Sequence, residues 1–355
     1  MIVELPYTIR DYIFKKEIGK GGFSRVYLVE SIKYSTNFVA KVMIVNEAEQ
    51  TRRWETFESE IEALQRLDSP HIIRLYDHFI ENGVFYLILE YCPNGSVQDE
   101  IEQHGELQED RFCMIGRQVI DGLLYCHSRN IAHHDIKPHN ILIDQFGRAK
   151  IADFGLSLRM SKGTLSDSFA GSLVFTAPEI FLKKSYDPFK ADVWSLGVTF
   201  AVMITGEVPW AATSVERLKQ LVKSGHYFLK NRPPAAIAEL IRNMIVVDPL
   251  KRMSLEDIRN SKVFTENLSR VVSTETIADP LSPRGRLLSP RMSSQYQMSW
   301  MKSFSPFSFI GDDSDDRARY KSLLIGSANI IGYNKPLKLK KRMHPIPDIV
   351  SFRNK

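Results

Sequence analysis

Between Ile131 and Ile143 the chain reads IAHHDIKPHNILI, with His, Asp, Lys and Asn set between two apolar runs. Buried flanks of this kind pin the polar residues onto a loop. Thirteen residues after Asn140 comes Asp153-Phe154-Gly155, behind a second apolar stretch, Ala149 to Ala152. Magnesium-assisted phosphoryl transfer needs a carboxylate to take a hydroxyl proton, an ammonium to lie over a phosphate, and an Asn and an Asp as hard oxygen ligands. All of these are present, and their order and spacing together argue against chance.

Upstream, Gly19-Lys20-Gly21-Gly22-Phe23-Ser24-Arg25-Val26 is a glycine-rich turn. An alternating strand follows it, whereas a dinucleotide-binding fingerprint would open a helix. Bare backbone in a hairpin can lie over phosphates because amide N–H groups approach the oxygens closely; a plain turn is the equal alternative. Lys41 lies on the next strand, with Val39 on the same face. A Lys in an apolar strand wants an anionic partner. Glu60, on the inward stripe of the following helix with Leu64 one turn on, can supply it; an ordinary surface ion pair is the other reading.

These residues need two kinds of support. Short strands are expected at Tyr12 to Ile18, Val26 to Val29 and Phe38 to Val42, then at Ile72 to Phe79 and Val84 to Glu90 around the Asn82-Gly83 turn signal. Arg53 to Leu67 switches to helical period, with Phe57, Ile61, Leu64 and Leu67 on one stripe. From Glu109 onward the pattern is mainly helical, with Phe112, Ile115, Val119 and Leu123 on one face and further helical runs at Asp192–Thr205, Val215–Val222, Ala235–Val246 and Leu255–Asn260. A small β-rich lobe therefore precedes a larger helical one.

The chain has 355 residues, 43% hydrophobic and 25% charged, which excludes a fibrous or wholly disordered protein. Its formal charge of +5 is unevenly placed. Residues 265–355 carry 15 Lys and Arg against 8 Asp and Glu, so this tail holds +7 and the body before it −2. The tail also has 14 serines and three Ser-Pro pairs, at Ser282, Ser289 and Ser305, and is expected to be largely disordered. Cys92, Cys113 and Cys126 are too few and too irregularly spaced for a disulfide framework or a zinc site, and are read as buried small hydrophobes. The N-terminus has no signal-peptide pattern. The longest apolar run, around Leu196 to Ile204, is about half a membrane span. A cytoplasmic protein without a transmembrane segment is expected; KPLKLKKR at Lys335–Arg342 reads as an acidic-lipid or nucleic-acid contact, a nuclear address, or simply a solvated face.

The motifs in sequence resemble the eukaryotic protein kinase family over about residues 12–264. Ala177-Pro178-Glu179, Asp192-Val193-Trp194-Ser195-Leu196-Gly197 and Asp248-Pro249-Leu250-Lys251-Arg252 extend the likeness, and SEIEALQRLDSPHIIRLYDHF is similar to the calcium/calmodulin-dependent and SNF1-related branch. The resemblance implies an α+β bilobal fold, an N-lobe at 12–91 and a C-lobe at 92–264. It implies a Ser/Thr kinase that uses ATP and Mg2+ on protein substrates. Asp135 becomes the catalytic base, Lys137 the stabiliser of the γ-phosphoryl, and Asn140 with Asp153 the magnesium ligands. Lys41, paired to Glu60, would hold the α- and β-phosphates under the loop Gly19, Gly21, Gly22, Phe23 and Ser24. Adenine would lie between Ile18, Val26 and Val39 above and Leu142 below, with backbone hydrogen bonds at Glu90 and Cys92 and Leu89 behind. Leu64, Leu75, His133 and Phe154 match the family's stack between the lobes, and Glu179 with Arg252 its buried ion pair.

The sequence also departs from the family. Ser24 stands for the third loop glycine, and Val39 for the usual Ala. His134 replaces the Arg before the catalytic Asp, which in the family grips a phosphorylated activation loop; a His is a weaker, titratable donor set. Phosphorylation of Ser168, the best match to the activating position among Thr164, Ser166 and Ser168, is therefore expected to modulate activity weakly. Lys137 resembles the serine/threonine class, and Leu156 resembles members that prefer Ser over Thr. Ser96 and His139 stand where basophilic relatives carry carboxylates, so no strong demand for arginine in the substrate is expected. No specific nucleic acid is expected as a partner, and the tail reads as a regulatory or docking element. The alternative from another class is a nucleotide-binding, pseudokinase-like scaffold with a docking tail.

Overall fold

The computed structural model describes residues 4–21, 24–44, 50–155, 173–182 and 186–266. Six antiparallel strands open the chain: β1 Tyr7–Ile9, β2 Tyr12–Lys20, β3 Ser24–Ser31, β4 Thr36–Ile44, β5 Leu75–Glu81 and β6 Val84–Leu89. They lie in the order β1-β2-β3-β4-β6-β5, with helix α1, Gln50–Gln65, between β4 and β5 in sequence. The alternation that marks these strands also gives the sheet two apolar faces. One carries Phe14, Val29, Phe38, Phe79, Tyr86 and Ile88, an aromatic cluster with Phe14 and Ile88 fully buried. Across it β2 reaches β5, where the Tyr12 hydroxyl donates to the Asp77 carboxylate at 3.1 Å. The other face, with Met43, Phe85 and Leu87, joins α1 in the main core.

That core continues without a break into the helical lobe. Its elements are α2 Val97–His104, α3 Glu109–Ser128, the short strands β7 Ile141–Ile143 and β8 Ala149–Ile151, α4 Pro178–Phe181, α5 Pro188–Thr205, α6 Val215–Ser224, α7 Ala235–Met244 and α8 Leu255–Arg259. Helix α5 is the hub: it is capped by Asp187, starts on Pro188 and is buried from Ala191 to Thr205. The apolar run Leu196–Ile204 is thus a core helix, and among the described residues no helix is long and apolar enough to cross a membrane. Cys92, Cys113 and Cys126 are free and buried.

Several expected elements shift at their ends. The strand read at Ile72–Phe79 begins only at Leu75, because Ile72 forms a parallel bridge with Ile151 and the Ile73 N–H donates to the Ile151 carbonyl at 2.9 Å. The apolar residues before β5 thus belong to the β8 ladder, which ties the two lobes together. The helix read from Arg53 starts earlier, at Gln50. Helix α2 and strand β1 are additions to the sequence reading; α2 is set by a capping box in which Ser96 accepts from the Asp99 N–H and the Asp99 carboxylate returns to the Ser96 N–H at 2.8 Å. Helix α3 lies close against β8 because residue 122 is glycine: a Cβ there would meet Ile151 Cδ1 at 2.9 Å and the His71 carbonyl at 3.1 Å.

Candidate active site

The register β3–β4 places Val26 opposite Lys41 and Leu28 opposite Val39, so Val26, Val39 and Lys41 share one face of the sheet. In β2 the pairing skips Ile18, a bulge that leaves this buried residue out of the ladder just before Gly19 pairs with Val26. The turn closes with the Gly21 N–H on the Ser24 carbonyl at 2.7 Å. Gly22 and Phe23 lie outside the described residues, as do Leu156, Thr164, Ser166, Ser168 and the tail.

From the sheet, the Lys41 ammonium reaches both carboxylate oxygens of Glu60 on α1 and Asp153 Oδ1, each at 2.8 Å. Glu60 is 1% exposed and Asp153 opens to the cleft. Burial opposes the charge on Lys41, but the two carboxylates outweigh it and raise its pKa. The same ammonium holds the Asp153 carboxyl well below the usual range, whereas burial pushes the Glu60 carboxyl up. The alternative of a surface ion pair for Lys41 and Glu60 is thereby removed.

The second cluster is built on the loop after α3. Lys137 Nζ donates to Asp135 Oδ2 at 2.7 Å, and Asn140 Nδ2 donates to the same oxygen at 2.9 Å and to the Asp135 carbonyl at 2.8 Å. Asn140 sits in a 3-10 turn, Pro138–Asn140. Its amide nitrogen being spent, its Oδ1 accepts no hydrogen bond among the described residues. The Ala152 N–H donates to the Asn140 carbonyl at 2.8 Å, which fixes Asp153 beside this loop. Asn140 and Asp153 thus offer two hard oxygen donors on adjoining segments, a set that suits magnesium when phosphate and water complete the shell.

Support comes from groups the sequence reading had not assigned. Asp192 on α5, fully buried, accepts the N–H groups of His133 and His134 and His127 Nε2 at 2.8, 2.8 and 2.9 Å. Burial raises its pKa, yet the hydrogen bond from His127 prevails and holds it at about 2. The His133 Nε2 bonds the Ala152 carbonyl, so its Nδ1 is free to accept the Asp135 N–H. His133 also meets Phe154 edge-on at 4.7 Å, and Leu64, Leu75 and Phe154 belong to the same core. His134 and Asp153 both have positive φ, 68° and 65°, which for side-chain-bearing residues stores strain at the site. His134 is kept neutral: burial lowers its pKa, and its Nδ1 is buried without a partner.

At the far end of the sheet, Glu90 and Cys92 follow β6 and Leu142 lies in β7. The Glu90 N–H is spent on the Arg74 carbonyl at 2.9 Å. A second unassigned group is Lys150 on β8, whose ammonium pairs with Glu90 Oε2 at 2.9 Å while 7% exposed. The alternation of β8 hides it among its neighbours in sequence. Glu179 and Arg252 form their ion pair at 2.8 Å, with the guanidinium also on the Val246 and Lys190 carbonyls. Ser96 is used as a helix cap. His139 is held neutral, its pKa lowered to about 4 by burial and by Lys137.

Residues 12–264 match the model of the family described as protein kinase domain. The chain is 34% identical over 275 residues to the probable serine/threonine-protein kinase MARK-A of Dictyostelium discoideum, covering 77% of this chain and 26% of that protein. It is 33% identical over 266 residues to the serine/threonine protein kinase OSK3 of Oryza sativa subsp. indica, covering 75% and 52%. Over 270 residues it is 34% identical to the carbon catabolite-derepressing protein kinase of Secale cereale, covering 75% and 54%. The aligned part is thus between a quarter and about half the length of these relatives.

Proposed function

This chain belongs to the protein kinase family, and from that premise we propose that it transfers the γ-phosphoryl of ATP to serine and threonine hydroxyls of protein substrates. The carrying observation is the double convergence on one cleft: Lys41 held between Glu60 and Asp153, and Asp135 held between Lys137 and Asn140. In this reading Asp135 accepts the proton of the attacking hydroxyl. Lys137, already against Asp135 Oδ2, neutralises charge on the transferred group, and Lys41 binds the α- and β-phosphates. Asn140 and Asp153 would hold Mg2+, which supplies charge neutralisation between the β- and γ-phosphates. Ile18, Val26, Val39 and Leu142 would enclose the adenine, with Glu90 and Cys92 meeting its edge and Gly19, Gly21, Gly22, Phe23 and Ser24 covering the phosphates.

We assign residues 12–264 to the catalytic domain, divided after residue 91, and residues 265–355 to a regulatory or docking tail. A signalling role in the cytoplasm suits three unbridged cysteines. Substrate choice should not depend strongly on arginine: Asp99 is committed to capping Ser96, Glu100 pairs with Arg111 at 2.8 Å, and His139 carries no charge. The test is phosphate incorporation from labelled ATP and magnesium into a peptide library, wild type beside Asp135→Asn. Incorporation lost in the variant, without strong selection for arginine, is the expected result; equal incorporation by both proteins overturns the reading.

A further inference from the structure

The loop between α6 and α7 folds over an open cavity of about 620 Å³ that includes none of the residues placed in the active site. Its lining contains Arg232, Arg242 and His226 beside Tyr227, Phe228 and Ile245, and no carboxylate. Elsewhere in this lobe Arg111, Arg148, Arg252 and Arg259 are each tied to a carboxylate. Arg232 and Arg242 are different: among the described residues neither guanidinium has a hydrogen bond or an ion pair. Next to Arg242 the Tyr227 hydroxyl is buried without a partner, an arrangement that leaves a buried polar group for an incoming one to satisfy.

The backbone holds this arrangement at a cost. Asn231 and Arg232 have φ of 59° and 45°, and Arg232 precedes a proline, which restricts it further. The strained pair is anchored from behind by Asn231 Nδ2 on the Thr205 carbonyl at 3.0 Å, by the Lys230–Glu207 ion pair, and by the Phe228 N–H on the Pro209 carbonyl at 3.0 Å. The loop starts at Gly225, φ 70°, where a Cβ would meet Val247 at 2.7 Å. Val247 and Phe228 stay exposed, Phe228 by 74%. Two unpaired cations beside exposed apolar side chains define the complement: a compact anion with an apolar neighbour. Two guanidinium forks match a phosphoryl group of about −2 better than a carboxylate of −1.

We propose that this cavity docks a phosphorylated, apolar-flanked segment of a partner protein, with Arg232 and Arg242 on the phosphoryl oxygens and Phe228 against the adjoining side chain. The full chain, without ATP, is passed over three immobilised degenerate peptide libraries that differ only in a fixed central phosphoserine, serine or glutamate. Retention on the phosphoserine library should exceed the other two by about tenfold or more. Arg232→Gln with Arg242→Gln should bring it to the serine level, and Phe228→Ser should weaken it, with thermal midpoints unchanged because all three side chains are exposed. A shift in midpoint moves the comparison to Arg242→Lys, which keeps charge but loses the fork and should retain less than wild type. Equal retention on all three libraries, or undiminished retention by the arginine variants, overturns the proposal. Binding is read directly, so the outcome is separate from whether the chain phosphorylates anything.

Discussion

The loop that carries Asp135 is held from beneath by the Asp192 carboxylate, and replacing it with its neutral isostere tests that support. Asp192 Oδ2 takes two donors, His127 Nε2 and the His133 N–H, and Oδ1 takes the His134 N–H. In Asp192→Asn the remaining oxygen can keep the first pair, but the new NH2 then faces the His134 N–H. One charge-assisted bond is lost and a buried donor is left unpaired, each worth roughly 1–3 kcal/mol, while the two bonds kept are weakened by loss of the charge. A destabilisation of about 3 kcal/mol follows, or about 6–12 °C in thermal midpoint for a domain of this size. The orphaned N–H immediately precedes Asp135, so kcat should fall by about 100-fold, the usual result of misplacing a reacting group by about 1 Å. KM for ATP should stay within about threefold, because Asp192 touches none of the residues assigned to the nucleotide. The pH sign is fixed: with the folded pKa depressed from 3.8 to about 2, the stabilisation is complete above about 4 and is lost as pH falls towards 2. Melting curves from pH 7 to 2.5 beside peptide phosphorylation at pH 7 measure all of this. A midpoint within 1 °C of wild type, or a gap that does not narrow on acidification, would show that Asp192 does not carry the loop.

Three further outcomes are expected. Arg252→Ala should cost about 3–5 kcal/mol in urea unfolding, because it strands Glu179 at 11% exposure, and Arg252→Lys should recover little since it cannot reach Glu179 and two carbonyls together; full recovery by lysine counts against the geometry. Lys150→Met should raise KM for ATP by about tenfold with kcat within about threefold, as expected when a buried partner of the Glu90 carboxylate is removed but Asp135 is left in place; parallel changes in both constants would assign Lys150 a general structural role. Ser168→Ala should leave kcat within about threefold, because the neutral His134 lacks the fixed charge that reads a loop phosphate; a collapse in kcat overturns this.

Residues that act through short sequence spacing were legible, and residues that act across the fold were not. Asp135, Lys137 and Asn140 lie within six positions, and the loop they share is bounded by buried runs, so composition and order alone expose them. Lys41 with Glu60 could be paired only because strand and helix periods put both on inward faces. Asp192 is visible as part of a motif, but its partners are 58 to 65 positions away, and nothing in local pattern says that a helix hub carries the loop. Lys150 reads as one polar residue between apolar neighbours; its role appears only when Glu90 arrives from the other lobe. The early end of the expected strand at Ile72 has the same cause, since its apolar residues satisfy β8 instead of β6. Strain at Arg232 leaves no compositional trace, because left-handed backbone is signalled in sequence by glycine, and here an arginine adopts it.

These supports explain why His134 can depart from the family without dismantling the site. What the loop takes from residue 134 is its backbone N–H, which Asp192 accepts, and every residue except proline supplies one. The side chain contributes no hydrogen bond through its buried Nδ1 and meets Tyr186 only edge-on at 6.5 Å. Among the described residues, position is therefore imposed from the α5 side through the Asp192 carboxylate. The same logic runs at the other end of the cleft. Lys150 ties the Glu90 side chain to β8, and just past the end of that strand the chain delivers Asp153 to Lys41. The Glu90 and Asp153 side chains are thus fixed by one segment, Lys150 to Asp153, whose backbone is bonded to both lobes through His71, Ile73 and Asn140.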